Sequence, residues 1–349
     1  MHRTARLIAL IVALPIVPGW FLTAVSMAQE ENHATRDYTL RWSPQVGEQY
    51  TYMVSSSGNR GESIAVRSEN FTIRVEDIAD GTIHFMANGE AVPDNAPLAF
   101  RFQRALFTEF PYTVDSLGNT IVPAGQPFPV FTNIPIFPEN PVSVGSTWSG
   151  GPVGILPDPN AGPIPFTFVS TFAAVSTYQG EDCALIESDY TVALPPDAKS
   201  YMPFLGLVQG DNPEQAGTGA PIGGVVENSR ANLAGVQPGD FIIAAAGQRI
   251  RGWGGLEEIL PVLVPEMPVL FRVRRGDQEF DISVAPEGVP LVAISGAGGL
   301  HSTCYFSLSR GIPLKTDVTS ADLVFTLTNA QGETEEKEAY IQLVMEYQH

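Results

Sequence analysis

The chain has 349 residues, 44% of them hydrophobic, enough for two domains with buried cores. Its 33 glycines and 29 prolines, with few stretches of helical period, favour an all-β body rich in turns over a helical one. The net charge of -19 repels nucleic acid and anionic membrane, so neither is expected as a partner.

Residues 1–28 read as a secretory signal peptide. His2, Arg3 and Arg6 form a positive end, Leu7–Val25 is mostly apolar but broken by Pro15 and Pro18, and Ser26-Met27-Ala28 has the small-x-small pattern of a cleavage site. Cleavage near Ala28 predicts an extracytoplasmic protein: periplasmic, cell-surface or secreted. The alternative is an uncleaved anchor, the one route by which this chain would meet a membrane.

From Tyr38 the chain reads as strands. Tyr38–Trp42 alternates, and Gln49–Ser55 puts Tyr50, Tyr52 and Val54 on one face. Phe71–Val75 and Thr82–Met86 follow, with Ala79-Asp80-Gly81 turning between them. Residues 97–123 hold Phe100, Phe102, Leu106 and Phe110 before the Leu117-Gly118-Asn119 turn. The stretch Ala124–Pro141 is too apolar for a solvated linker and is expected to lie across a sheet.

The chain also carries an internal repeat. Val46-Gly47-Glu48-Gln49-Tyr50 returns as Val144-Gly145-Ser146-Thr147-Trp148, and Phe71–Val75 returns as Phe166–Ser170. Thr82–Met86 corresponds to Cys183–Glu187, and Val114–Gly118 to Leu308–Gly311. The expected body is therefore an antiparallel β-meander present twice, as a sandwich or half-barrel, over residues 38–197 and 290–349. The second copy is interrupted by residues 198–288.

That interruption is the most informative stretch. Gly235 and Gly239 bracket a tight turn with Pro238 at its corner, and Asp240 opens the strand Phe241-Ile242-Ile243. Gly247-Gln248-Arg249-Ile250 and the apolar-spaced Leu256–Leu263 follow. Phe271 and Val273 alternate with Arg272 and Arg274, and Arg275-Gly276-Asp277 turns into Glu279–Val284 as a hairpin. Arg230, Arg249, Arg251, Arg272, Arg274 and Arg275 all fall here and read as solvated edges and loops.

In order and spacing these pieces resemble a PDZ domain of the bacterial type. The resemblance rests on Phe204-Leu205-Gly206-Leu207, on Leu233–Ile243 and on Gly247–Ile250. It implies an inserted α+β domain that binds peptide C-termini or extended segments as an added strand. Leu205, Gly206 and Leu207 match the carboxylate loop, and Leu207 and Val208 begin the strand that pairs with the ligand. Leu256 and Leu260 on the flanking helix would line the groove, with Ile259 and Leu263 in the core. Pro261 departs from the pattern because proline breaks a helix interior.

Cys183 and Cys304 flank the insertion. In an oxidising compartment they either form a disulfide that staples the insertion or remain two buried thiols. The chain has no His-Glu-x-x-His motif, no Gly-x-Ser-x-Gly elbow and no Gly-rich phosphate loop, so no catalytic residue, metal ligand or cofactor is assigned. His301 and Cys304, three apart on a strand, face opposite ways. The expected function is that of an exported, non-enzymatic adaptor or scaffold whose partner is a peptide or protein. The alternatives are a carrier holding an apolar ligand or lipid in the β body, and a protease accessory or degenerate hydrolase.

Overall fold

The computed structural model describes residues 36–60, 63–89, 95–106, 109–121, 135–158, 162–210, 219–329 and 331–348. The expected signal peptide and the first part of the Ala124–Pro141 stretch lie outside them.

The first copy of the meander is β1 (Gln49–Arg60), β2 (Ser63–Ala79), β3 (Thr82–Gly89), helix α1 (Leu98–Leu106), β4 (Glu109–Asp115) and β5 (Thr120–Ile121). The second copy begins with β6 (Thr147–Asp158), β7 (Gly162–Tyr178) and β8 (Glu181–Val192). Then come β9 (Lys199–Phe204), β10 (Leu207–Gln209), β11 (Ala220–Val225), α2 (Arg230–Leu233), β12 (Phe241–Ala245), β13 (Gln248–Arg249), α3 (Gly252–Ile259), β14 (Val269–Arg275) and β15 (Gln278–Val284). The chain returns through β16 (Glu287–Ser307), β17 (Pro313–Thr328), β18 (Thr334–Glu338) and β19 (Ile341–Gln348).

The body is one antiparallel sheet with strand order β5-β4-β3-β2-β1-β19-β17-β16-β8-β7-β6. Each copy is a meander, and the copies join where β1 pairs with β19. The repeat is visible in the hydrogen bonds. Gly47 N–H donates to Val75 O and Val75 N–H to Glu48 O; Gly145 N–H donates to Phe172 O and Phe172 N–H to Ser146 O. Both glycines have positive φ, 85° and 88°. A bulge follows each partner strand, between Val75 and Asp77 and between Phe172 and Ala174. Both hairpins then turn on two residues of positive φ, Asp80-Gly81 and Gln179-Gly180, the geometry that matches strand twist. This pairing sets Val75 against Phe172. Phe71–Val75 therefore corresponds to Phe168–Phe172, two residues beyond the register expected from sequence.

Alternate residues face a common core: Tyr50, Tyr52 and Val54 on β1, Phe71, Ile73 and Val75 on β2, Cys304 and Phe306 on β16. One cluster takes residues from both ends of the sheet, Val114 on β4 and Phe172 on β7 among them, so the sheet curls over itself. It remains an open half-barrel ending at β5 and β6, not a sandwich of two sheets. Its interior is filled by the chain's own connecting segments. Leu40, Trp42 and Phe137 are buried there, with Phe137 and Phe306 ring centroids 4.6 Å apart. Tyr38–Trp42 forms no ladder and makes a single bridge, Tyr38 to Val142.

Of the two states open to Cys183 and Cys304, the structure has the buried thiols and not the disulfide. Both cysteines are free and buried. On the β8–β16 ladder Cys183 lies opposite Ser307 and Cys304 opposite Ile186. An offset of three residues is roughly 10 Å along a strand, whereas a disulfide needs Cα atoms within about 7 Å.

The insertion, PDZ-like in sequence, folds as an α+β unit with its own sheet, of order β10-β11-β12-β14-β15. Its core holds Ile222, Ile242, Leu256, Ile259, Phe271 and Val273. Asp240 is buried, accepts from Gln237 N–H at 2.8 Å and is gripped by Arg275 at 2.7 and 2.9 Å. That charge-assisted pair ties the turn before β12 to the end of β14. Helix α1 lies in a stretch expected to form strands, and it completes the unit. Leu98 and Phe102 lie in its core, and Arg101 donates to Gln248 Oε1 at 3.1 Å. The two insertions occupy matching places in the two copies, after β3 and after β8, and they pack on each other.

Candidate functional site

Two elements meet at the start of the PDZ-like unit. The chain arrives along β9, turns at Leu205-Gly206 and leaves as β10, the edge strand of the sheet. Val226 N–H donates to Gly206 O at 2.8 Å, and the register then pairs Leu207 with Val225. In an antiparallel ladder, bonded and non-bonded pairs alternate. Leu207 follows a bonded pair, so its own N–H and C=O point away from β11, to the open side.

Gly206 makes the turn, with φ at 80°. A side chain would fit poorly there for a second reason: a Cβ at this position would lie 2.2 Å from Ser229 Cβ. Ser229 is fixed in turn, because its Oγ caps α2 by accepting from Asn232 N–H at 3.3 Å. The loop is thus pressed against the start of α2, and Ala231 N–H donates to Leu205 O at 3.1 Å.

The other wall comes from the end of α3. The α-helix stops at Ile259, and residues Leu260–Val262 continue as a 3-10 turn with Pro261 in its first turn. Proline is tolerated there, because the first-turn N–H has no helical partner. Ile259, the last α-helical residue, is buried in the core, and Leu260 is half-buried at the cleft. Between these walls lies a cleft of about 490 Å³ bordered by Leu205, Gly206, Leu207, Leu260 and Pro261.

Of the residues expected at the groove, Leu205, Gly206, Leu207 and Leu260 meet at this cleft. Leu256 does not: it is fully buried in the core, beside Ile259. Leu260 N–H still donates to Leu256 O, so the two lie one α-helical turn apart, but the first is packed within the core and only the second reaches the cleft. Val208 also lies elsewhere. It is 49% exposed, and its side chain stands over Gly224 on the neighbouring strand. The cleft has further borders from the chain outside the PDZ-like sheet, among them Tyr201 on β9, Ile294 on β16 and Leu327 on β17. No local pattern marks them; β9 pairs with β16 from Phe204–Glu287 to Lys199–Ala293, and that ladder carries them in.

The arginines of the unit are mostly engaged. Arg230 grips Glu266 at 2.8 and 3.0 Å, and Arg272 grips Asp281 at 2.6 and 3.0 Å. The hydrogen bond from Arg272 holds the Asp281 carboxyl below its ordinary range. Arg274 lies over the Phe241 ring at 4.8 Å.

On the body, His301 and Asp189 face each other across β16 and β8, Nδ1 to Oδ1 at 2.8 Å. Both side chains are well exposed on the convex face. Cys304 points into the core, as the strand offset requires. Among the described residues no group of His, Cys, Asp and Glu could hold a metal ion, and no helix is long and apolar enough to cross a membrane.

No protein-family model matches this chain, and no curated protein matches it. Among solved structures, the HtrA3 PDZ domain bound to a phage-derived ligand (FGRWV) is 25% identical, with a TM-score of 0.24. That match covers 27% of this chain and 92% of the other. The HtrA-type protease AlgW with a decapeptide is 10% identical, with a TM-score of 0.24, covering 69% of this chain and 95% of that one. A serine endoprotease from Yersinia pestis is also 10% identical, with a TM-score of 0.22, covering 68% of this chain and 94% of that one. Scores this low carry no weight for function, and the geometry of the cleft is what remains.

Proposed function

We propose that this chain is a peptide-binding protein, an adaptor or scaffold without catalysis of its own. It takes a C-terminal or extended segment as an added strand on β10. The observation that carries this reading is the edge itself: Leu207 turns its N–H and C=O away from β11, next to an apolar cleft. Main-chain pairing along such an edge supplies affinity without regard to sequence, and the adjoining cleft selects a side chain. The glycine turn at Gly206 brings backbone N–H groups close together, an arrangement suited to a carboxylate.

The half-barrel supports this division of labour. Its interior is occupied by Leu40, Trp42 and Phe137, so it acts as a frame that holds the PDZ-like unit by both ends. The N-terminal sequence, positive and then apolar up to Ser26-Met27-Ala28, supports an extracytoplasmic setting.

The test is calorimetric titration of the full chain with a library of peptides differing at their last residues, each with a free and an amidated end. Saturable binding that is lost on amidation is expected. Failure of every peptide, free-ended or amidated, to bind would overturn the reading, and equal binding of the amides would assign the edge to extended segments and not to C-termini.

A further inference from the structure

The cleft beside Leu207 extends beyond the PDZ-like unit. Its far side is Ile294 and Leu327, which sit directly opposite each other on β16 and β17 of the large sheet. Cross-strand partners point to the same side, so they form one apolar wall. β9 bounds the cleft past Gly206, and one of its edges is paired with β16. A strand added to β10 meets the Gly206 turn at this point, where the chain changes direction from β9 to β10.

The space is also large for a small side chain. At about 490 Å³ it falls in the range of pockets that hold a whole small molecule. Its borders are apolar apart from Ser200, the Tyr201 hydroxyl and main-chain groups. A valine at the end of a peptide would touch Leu207 and Leu260 and leave the far wall without contacts, forfeiting their attraction.

We propose that the last residue of the ligand is read by both units. Its carboxylate lies at the Gly206 turn, and its side chain, a large aromatic one, crosses Leu260 and Pro261 to rest on Ile294 and Leu327. This rests on the peptide-binding reading above and adds the chemistry of the terminal residue and the body's share in choosing it. The body is thereby part of the specificity site.

Fluorescence anisotropy on the full chain tests it, using three labelled decapeptides of one sequence ending in Trp, in Val, and in Trp-amide. The wild type is expected to bind the Trp-ended peptide at least about tenfold tighter than the Val-ended one, the effect of burying one more large apolar group. Leu327→Trp fills the far wall from the protein side and should abolish that advantage while leaving the Val-ended peptide within about twofold of wild type. Leu327→Ser should shrink the advantage to about threefold or less. Thermal melting of each variant checks that it is folded.

Equal binding of Trp- and Val-ended peptides by the wild type would overturn the two-unit site. So would variants that keep the full preference for Trp. If none of the three peptides binds the wild type, it is the peptide-binding reading itself that falls, and this proposal with it.

Discussion

Gly206 and Ser229 are expected to be coupled strongly enough to measure. Gly206→Ala places an L-residue at φ 80°, which costs roughly 1–2 kcal/mol. It also sets a Cβ 2.2 Å from Ser229 Cβ and 2.3 Å from its Oγ, an overlap the packed loop has to relieve by shifting. Overpacking of this kind costs about 1–3 kcal/mol, so the single variant should lose about 2–5 kcal/mol. Ser229→Gly removes the obstructing atoms and the α2 cap, and a glycine cap loses only a few tenths of a kcal/mol. In the double variant the overlap is gone and the φ term remains, for a loss of about 1–2 kcal/mol. The coupling is therefore about 1–3 kcal/mol in the direction of rescue. Urea unfolding followed by hydrogen exchange of peptides from residues 220–245 reads the stability of the PDZ-like unit apart from the body. Losses that add, or a Gly206→Ala protein as stable as wild type, would show that the loop is not pressed on α2 and that β10 is not set by this contact.

The remaining expectations concern the core, the thiols and acid stability. Phe102→Ala in α1 should destabilise the PDZ-like unit by about 3–5 kcal/mol, the range for emptying a buried phenylalanine site; exchange protection in β11 and β12 that matches wild type would count against α1 as part of that core. Burial pushes the Cys183 thiol up to about 11 and the Cys304 thiol up to about 12. Ellman's reagent at pH 8 should therefore leave both unreacted in the native protein and label both in guanidinium, and prompt native labelling would refute their burial. Glu48 accepts from the Tyr50 hydroxyl and from Gln45 N–H at 2.7 Å, and these bonds hold its carboxyl below the ordinary 4.5. A depressed carboxyl stabilises the fold above the unfolded value, and that contribution is lost as pH falls through the folded one. The melting-temperature gap between wild type and Glu48→Gln should therefore be largest at neutral pH and close as pH falls below 4.5; a gap that stays constant would mean that the carboxylate plays no such part.

Much of this protein was written in local pattern. Period-two alternation at Tyr50, Tyr52 and Val54 sets which face of β1 is buried, because a strand has only two faces. The two Val-Gly turns mark the repeat, because both glycines take a positive φ that other residues resist. The turn at Gly235–Gly239 and the Gly206 loop were legible for the same reason, and with them the PDZ-like unit and part of its cleft. Tertiary structure decided the rest. Leu256 and Leu260 lie one α-helical turn apart, yet the packing of α3 buries the first in the core and leaves only the second at the cleft. Helix α1 had its signal in Leu98 and Phe102, four residues apart, but its partner was a domain about 150 residues further along the chain. Cys183 and Cys304 were brought to adjoining strands yet held apart by the β8–β16 register, which no spacing in the chain reports. Ile294 and Leu327 reach the cleft through a ladder between β9 and β16. Strand pairing acts between segments distant in sequence, so such a wall exists only once the chain has folded.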